Sequence, residues 1–227
     1  VAGRNAGDMF PAGMPRRRLA AEQIRDQALA VSGLFVPVVG GPPVFPLQPK
    51  GFYEERGQNA AGNSNFNWSN SKGDGRYRKT LYTYWKRMAL HPALAALDAP
   101  PRQVCVTRRS VTNTPQQALV LLNDPTYVEA ARALAAKMML EGGETVDQRN
   151  AWVYRRALAR NPSENELAIL KAVFERHLKK YDEDADAAAK LLEIGETELP
   201  DNVDVTELAA WTAGARVILN LHETITR

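Results

Sequence analysis

The sequence predicts one mainly α-helical domain, a helical bundle that carries a long irregular segment rich in Gly, Pro, Asn and aromatic residues. Helix starts are the first observation behind this. Thr114 precedes Pro115 and Gln117, Asp124 precedes Pro125, Thr145 precedes Gln148, and Ser163 precedes Glu166. Each pairs a capping residue with a proline at the first helical position or with a capping-box partner. Behind these starts, apolar residues recur at spacings of three and four, which is the second observation. The third is a contrast: residues 40–79 hold too many prolines and glycines for a helix or a central strand.

A chain of 227 residues, 44% apolar and 24% charged, can bury a sizeable core and has the balance of a soluble globular protein. The expected division is an irregular segment at about 40–79 and a helical core at about 80–227 within one domain spanning residues 1–227. No apolar run approaches the roughly 20 residues of a transmembrane helix, and no signal-like start is present. The chain opens on Val1, so it reads as a piece of a larger protein.

The net charge of +3 is too small to argue for nucleic acid, which is not an expected partner. Its distribution says more. Between Lys72 and Arg109 bases dominate, opposed only by Asp74 and Asp98, whereas between Asp182 and Glu207 Lys190 is the only base. Such polarity either steers a partner or ties two parts of the fold together, and solvated faces are the plainer reading. The single cysteine, Cys105, excludes an intrachain disulfide, a CxxC pair and a CxxCH haem attachment.

In chain order, residues 1–15 read as an irregular lead-in. The arginines at 16–18 then read as a solvated helix start, and the helix that follows turns Ile24, Ala28, Leu29 and Val31 inward. Glu22, Arg25 and Asp26 fall on its polar positions, and Gly33 stops it. Aromatics punctuate the irregular segment at Phe52, Tyr53, Phe66, Trp68 and Tyr77. Rings among amides suit a polar ligand such as a sugar, but a loop this long also needs anchors to the core, and anchoring is the favoured role. Residues 80–97 read as a short helix, a break at His91-Pro92, and a turn or second short helix. Residues 104–108 suit a short strand or extended segment.

The stripe Tyr127, Ala131, Leu134 and Met138 predicts a strong helix ending at Gly142-Gly143. Another follows Thr145 and turns Val146, Trp152, Val153 and Ala157 inward. The helix after Ser163 presents Leu167, Leu170, Phe174, His177 or Leu178, and Tyr181. Residues 182–194 suit a further helix. The last one, capped by Asp204 or Thr206, places Leu208, Trp211, Ala215, Ile218 and Leu219 on one face.

Catalytic motifs are sought and not found. The three histidines share no ligand spacing, and Thr226 stands where an HExxH zinc motif needs its second histidine. Arg78 replaces the third glycine of a dinucleotide loop, and residues 62–66 lack the closing glycine of a nucleophile elbow. Asp182, Asp184, Asp186 and Glu193 have the spacing of calcium-loop ligands, but Ala187 occupies the position of the turning glycine, so an acidic helix start is preferred and no metal is expected. Cys105 between two valines reads as a buried, inert thiol. What remains as a candidate ligand-binding set is Arg108, Arg109 and Asn113 beside the helix starts, with Phe66, Trp68 and Tyr77 from the aromatic segment. Pairing of the two arginines with Asp98 or Asp124 is the slightly favoured alternative. No catalytic residue is assigned.

Several strings carry a family likeness: TLYTYWKR, HPALAALDAP and the stretch RQVCVTRRSVTNTPQQALVLLNDPTYVEAARALA, with flanking likeness from RRRLAAEQIRDQALAVSGLF to ARVILNLHE. They resemble the C-terminal domain of unknown function in large planctomycete-type proteins that often carry c-type cytochrome modules. His222 departs from that pattern. The resemblance implies an exported parent, periplasmic or at the cell surface, linked to redox modules or polysaccharide breakdown. It brings no catalytic residues, and any haem would sit in another module. The expectation is therefore a structural or interaction module whose partners are other domains of its parent. The alternative is a substrate-handling domain of a carbohydrate-active or redox enzyme that uses the aromatic segment and the paired arginines, with a polysaccharide or a redox partner.

Overall fold

The structure, a computed structural model, describes residues 17–48, 52, 68–86, 90–200 and 203–226. Among them are eight α-helices: α1 (Ala21–Ser32), α2 (Pro92–Ala96), α3 (Pro115–Asn123), α4 (Pro125–Glu141), α5 (Val146–Leu158), α6 (Glu164–Glu183), α7 (Ala185–Leu192) and α8 (Val205–Leu219). The described residues hold no β-strand, only three isolated bridges. The fold class is all-α, as the caps and periodicity predict.

Helix α8 is the centre. Leu208, Ala209, Ala210, Trp211, Thr212, Ala215, Ile218 and Leu219 on it are all buried. A helix apolar on every side must be surrounded, and its main neighbours are α4 and α6. Helix α4 supplies Ala130, Ala131, Leu134, Ala135 and Met138, all buried. Small side chains on both helices let them lie close together. Phe174 of α6 stacks on Trp211 with ring centroids 4.0 Å apart. The buried hydroxyl of α8, that of Thr212, donates to the Leu208 carbonyl 2.7 Å away, so its burial leaves no orphan group.

The predicted caps set the helix boundaries. Thr145 accepts from Gln148 N, Ser163 from Glu166 N, Asp124 from Thr126 N and Asp204 from Glu207 N. Asp184 caps α7 through Ala187 N, so the acidic stretch is a helix start. Gly33 ends α1 in the left-handed region at φ 81°.

Helix C-termini are secured differently. Arg132 donates to the Leu192 carbonyl at the end of α7, and Arg216 to the Leu122 carbonyl near the end of α3. Arg156 donates to the Val31 carbonyl of α1, and Arg18 to Leu97 just past α2. A guanidinium supplies several donors in a fixed fork and meets the negative end of the helix dipole. Four helix ends left without intrahelical partners are thus tied across the fold by arginines distant in sequence.

Some expectations need correction. Arg25, read as polar surface, is 4% exposed. Arg18, read as a solvated helix start, keeps only 9% of its side chain exposed and pairs with Asp98 at 2.9 Å. Between Thr80 and His91 the described residues hold no α-helix, only the short 3₁₀ turn Thr80–Tyr82. Cys105 is exposed, not buried, because residues 101–116 lie outside the core along their whole length.

Candidate functional site

The central corner is organised by Asp98, which sits just past α2 with φ 66°. Its carboxylate accepts from Thr112 N (2.8 Å), Thr112 Oγ1 (2.8 Å), Arg18 Nη1 (2.9 Å) and Gln117 Nε2 (3.2 Å). Burial alone would raise its pKa, but the Thr112 bonds and the Arg18 charge hold it below the ordinary carboxylate range. Gln117 turns its other amide atom to Thr114 N at 3.2 Å, half of the predicted capping box. One carboxylate therefore joins the start of α1, the end of α2 and the start of α3. Beside it lies a cavity of about 260 Å³ lined by Arg18, Leu19, Ala20, Leu97, Arg109 and Val111, among others.

A second polar centre lies on α4. Glu129, 2% exposed, accepts through Oε1 from Glu196 N (2.6 Å), Thr197 N (3.0 Å), Thr197 Oγ1 (3.0 Å) and Tyr77 Oη (2.7 Å). Consecutive main-chain N–H groups make an anion-binding concavity, and here the protein's own carboxylate fills it. Gly195 makes the approach possible: its φ is 103°, and a Cβ there would stand 2.4 Å from the Glu129 carboxyl carbon. Burial, and the proximity of Glu129, push the Tyr77 hydroxyl up to about 12. Arg76 pairs with Glu196 at 2.7 Å and Arg132 donates to the Thr197 carbonyl at 2.6 Å, so the acidic loop is anchored at successive residues.

The aromatic segment forms a third cluster. Trp68 meets Phe45 edge-on at 5.1 Å, and Tyr84 stacks on Phe45 at 5.0 Å. The indole N–H of Trp68 is shared between the Pro46 carbonyl and Asn70 Oδ1, both at 3.1 Å. His91, 6.2 Å from Trp68, is 3% exposed with Nε2 2.9 Å from the Leu47 carbonyl. Burial pushes its pKa down to about 4, which keeps the ring neutral.

The predicted ligand set does not converge. Trp68 lies in the aromatic cluster and Tyr77 at Glu129, while Phe66 is outside the described residues. Arg109 pairs with Glu22 of α1 at 2.8 Å, not with Asp98 or Asp124. Arg108 and Asn113 are exposed and have no hydrogen bond or ion pair among the described residues. Sequence reasoning passed over Arg25 and Glu129, and it named Asp98 only as a partner for Arg108 and Arg109, not for Arg18 and Thr112. A buried charge on a helix leaves a signal only if its partner is known, and each of these has partners more than ten residues away in sequence.

Among the described residues no group of three or more His, Cys, Asp or Glu is placed to hold a metal ion, and no helix is long and apolar enough to cross a membrane. The fold and its internal polar centres define an all-α protein whose buried charges hold loops in place. Residues 4–174 match the family model described as PSD1, protein of unknown function (DUF1553), and the chain belongs to that family. The match stops inside α6, ahead of the central helix α8. No curated protein and no solved structure matches the chain.

Proposed function

We propose that this chain is a non-catalytic structural or interaction module of a larger exported bacterial multidomain protein, in the periplasm or at the cell surface. Its partners are other domains of that parent, c-type cytochrome modules among them, and any haem belongs to those modules. The observation that supports this is the run 101–116. Every residue in it is exposed, including Val104 at 69%, Val106 at 52% and Val111 at 67%, with Leu119 of α3 nearby in sequence at 59%. Valines grouped on one exposed stretch mark a surface that another protein covers. The stretch is also held at several points: Arg102 lies over the Trp85 ring at 4.1 Å, Arg109 pairs with Glu22 and Thr112 is bound by Asp98. A held surface loses little freedom on binding. Hydrogen exchange tests the reading. Amides of residues 102–111 should exchange fast in this chain alone and become protected in the full-length parent. Fast exchange in both would sink it.

A second reading, a substrate-handling domain of a carbohydrate-active or redox enzyme, is favoured by the cavity that Arg18 and Arg109 line. Its ligands would be anionic or polar groups such as sulfated sugars. A thermal-shift screen with sulfated and neutral sugars decides: a rise in melting temperature that Arg109→Ala removes supports it, and silence across the panel counts against it.

A further inference from the structure

We infer that the place where α6 meets α8, around His177, Tyr181 and Arg216, is a binding site for a tetrahedral oxyanion, a phosphate or sulfate group. The site shares no residue with the run 101–116 or with the lining of the cavity at Arg18, so its failure would leave either reading of the function standing. Arg216 of α8 is held from one side. Its Nε donates to the Leu122 carbonyl at 2.8 Å and its Nη2 to Asn123 Oδ1 at 3.2 Å, whereas Nη1 has no hydrogen bond among the described residues. A guanidinium fixed in this way presents its free arm in a set direction, and a ligand that meets it pays little for ordering.

The charge of Arg216 acts on two side chains of α6, His177 and Tyr181. These stand one turn apart on the helix, with ring centroids 5.9 Å apart. Tyr181 is 6% exposed, yet its hydroxyl has no hydrogen bond among the described residues, and Nδ1 of His177 is buried without one. Polar groups left unpaired in this way cost free energy that a ligand oxygen would recover. Lys180 completes the set, its Nζ 5.8 Å from the Tyr181 ring centroid.

The charges here are of one sign. Burial, and then the charges of Lys180, Arg216 and Arg176, hold the His177 pKa below its ordinary value, and no carboxylate of the described residues acts on His177 or Tyr181. Elsewhere such cations are matched, Arg76 by Glu196, Arg109 by Glu22 and Arg149 by Glu207. Lys180 and Arg216 have no ion pair among the described residues. A phosphate or sulfate group has oxygens enough to accept from Arg216 Nη1, the Tyr181 hydroxyl and an N–H of His177 together, and its charge suits the surrounding cations. A carboxylate, with fewer oxygens and a single charge, would leave part of the set unused.

Isothermal titration calorimetry of the intact chain with inorganic phosphate, inorganic sulfate and acetate at one low ionic strength provides the test, with circular dichroism to confirm that each variant is folded. Phosphate or sulfate should bind at one ion per chain, the tighter of the two naming the source, and acetate should give no heat. Tyr181→Phe and Lys180→Ala should each weaken binding about ten-fold or more, as loss of a bond to a charged group does. Lys171→Ala removes an exposed cation of the same helix that does not act on His177, and should change affinity by less than about two-fold. Arg216 is left unchanged because it also holds the end of α3. Silence with both tetrahedral ions overturns the proposal. So does equal weakening by Lys171→Ala, the mark of unspecific charge attraction, and so does acetate that binds as tightly, which would mean a carboxylate site.

Discussion

The guanidinium of Arg25 binds the main chain of a second arginine, Arg78: Arg25 Nη1 donates to the Arg78 carbonyl at 3.1 Å. Arg78 in turn donates to the carbonyls of Gly40 and Pro42. Arg25 also reaches the Arg76 carbonyl at 2.5 Å and Thr80 Oγ1 at 3.0 Å. Helix α1 therefore holds residues 76–80, and residue 78 holds residues 40–42. Two irregular stretches are fixed in series by two planar forks, with Asp26 taking Thr80 N at 2.8 Å beside them.

Arg25→Lys should cost about 2–4 kcal/mol, because one ammonium cannot reach three acceptors and the abandoned carbonyls stay buried. Denaturant titration reads the loss directly. A change below about 0.5 kcal/mol, the level of an ordinary surface substitution, would mean that the relay does not stabilise the fold.

Gly195→Ala should destabilise by roughly 2 kcal/mol or more, since it combines a positive φ with a collision at the Glu129 carboxylate. Glu129→Gln keeps the shape but removes the charge from the N–H concavity. Hydrogen exchange of Glu196 and Thr197 should speed up in both variants while the amides of α8 stay slow. Equal acceleration everywhere would show global loss rather than release of one loop.

His91 gives the fold a pH dependence. Its pKa falls from 6.5 to about 4 on folding, so the unfolded chain binds the proton more readily. Its contribution is complete above pH 6.5 and is lost as pH falls through about 4, amounting to about 3 kcal/mol. Asp124 runs the other way. Burial raises it from 3.8 to about 6 despite the bonds from Thr126, so its contribution is present below 3.8 and lost as pH rises through about 6. The measurement is therefore a difference: His91→Gln should flatten the stability profile between pH 6.5 and 4 relative to wild type. Parallel profiles would rule out His91 as the source.

Asp98→Ala should cost about 3 kcal/mol, because it strands the mostly buried Arg18 charge and frees Thr112. The double change Arg108→Ala with Arg109→Ala should cost under about 1 kcal/mol, as exposed ion pairs do. Thermal melts of the two variants rank the corner directly. The reverse order would place the structural weight on the paired arginines.

Most of the helices were legible because their signals are local. A cap and its partner lie three residues apart, as at Ser163 and Glu166, and a stripe such as Tyr127, Ala131, Leu134 repeats every turn. Burial of charge was not legible. Arg25 occupies a polar position on α1 by spacing, and only the arrival of residues 76–80, some fifty positions away, turns that position inward. Cys105 erred in the opposite sense: two flanking valines suggest burial, yet no described element covers residues 101–116. Local pattern records what a residue prefers, whereas burial depends on what the rest of the chain brings to it.

The position of α8 has a kinetic consequence. It is the last of the described helices and the one around which α4 and α6 close. As a ribosome extends the chain, α1 to α7 emerge with Leu134, Met138 and Phe174 lacking the surface that will cover them. Closure requires contacts between residues near 130 and residues near 210, a loop whose ends meet late. Folding of this domain therefore waits for the completion of residues 205–219. Until then its apolar helix faces are the substrate a chaperone would hold.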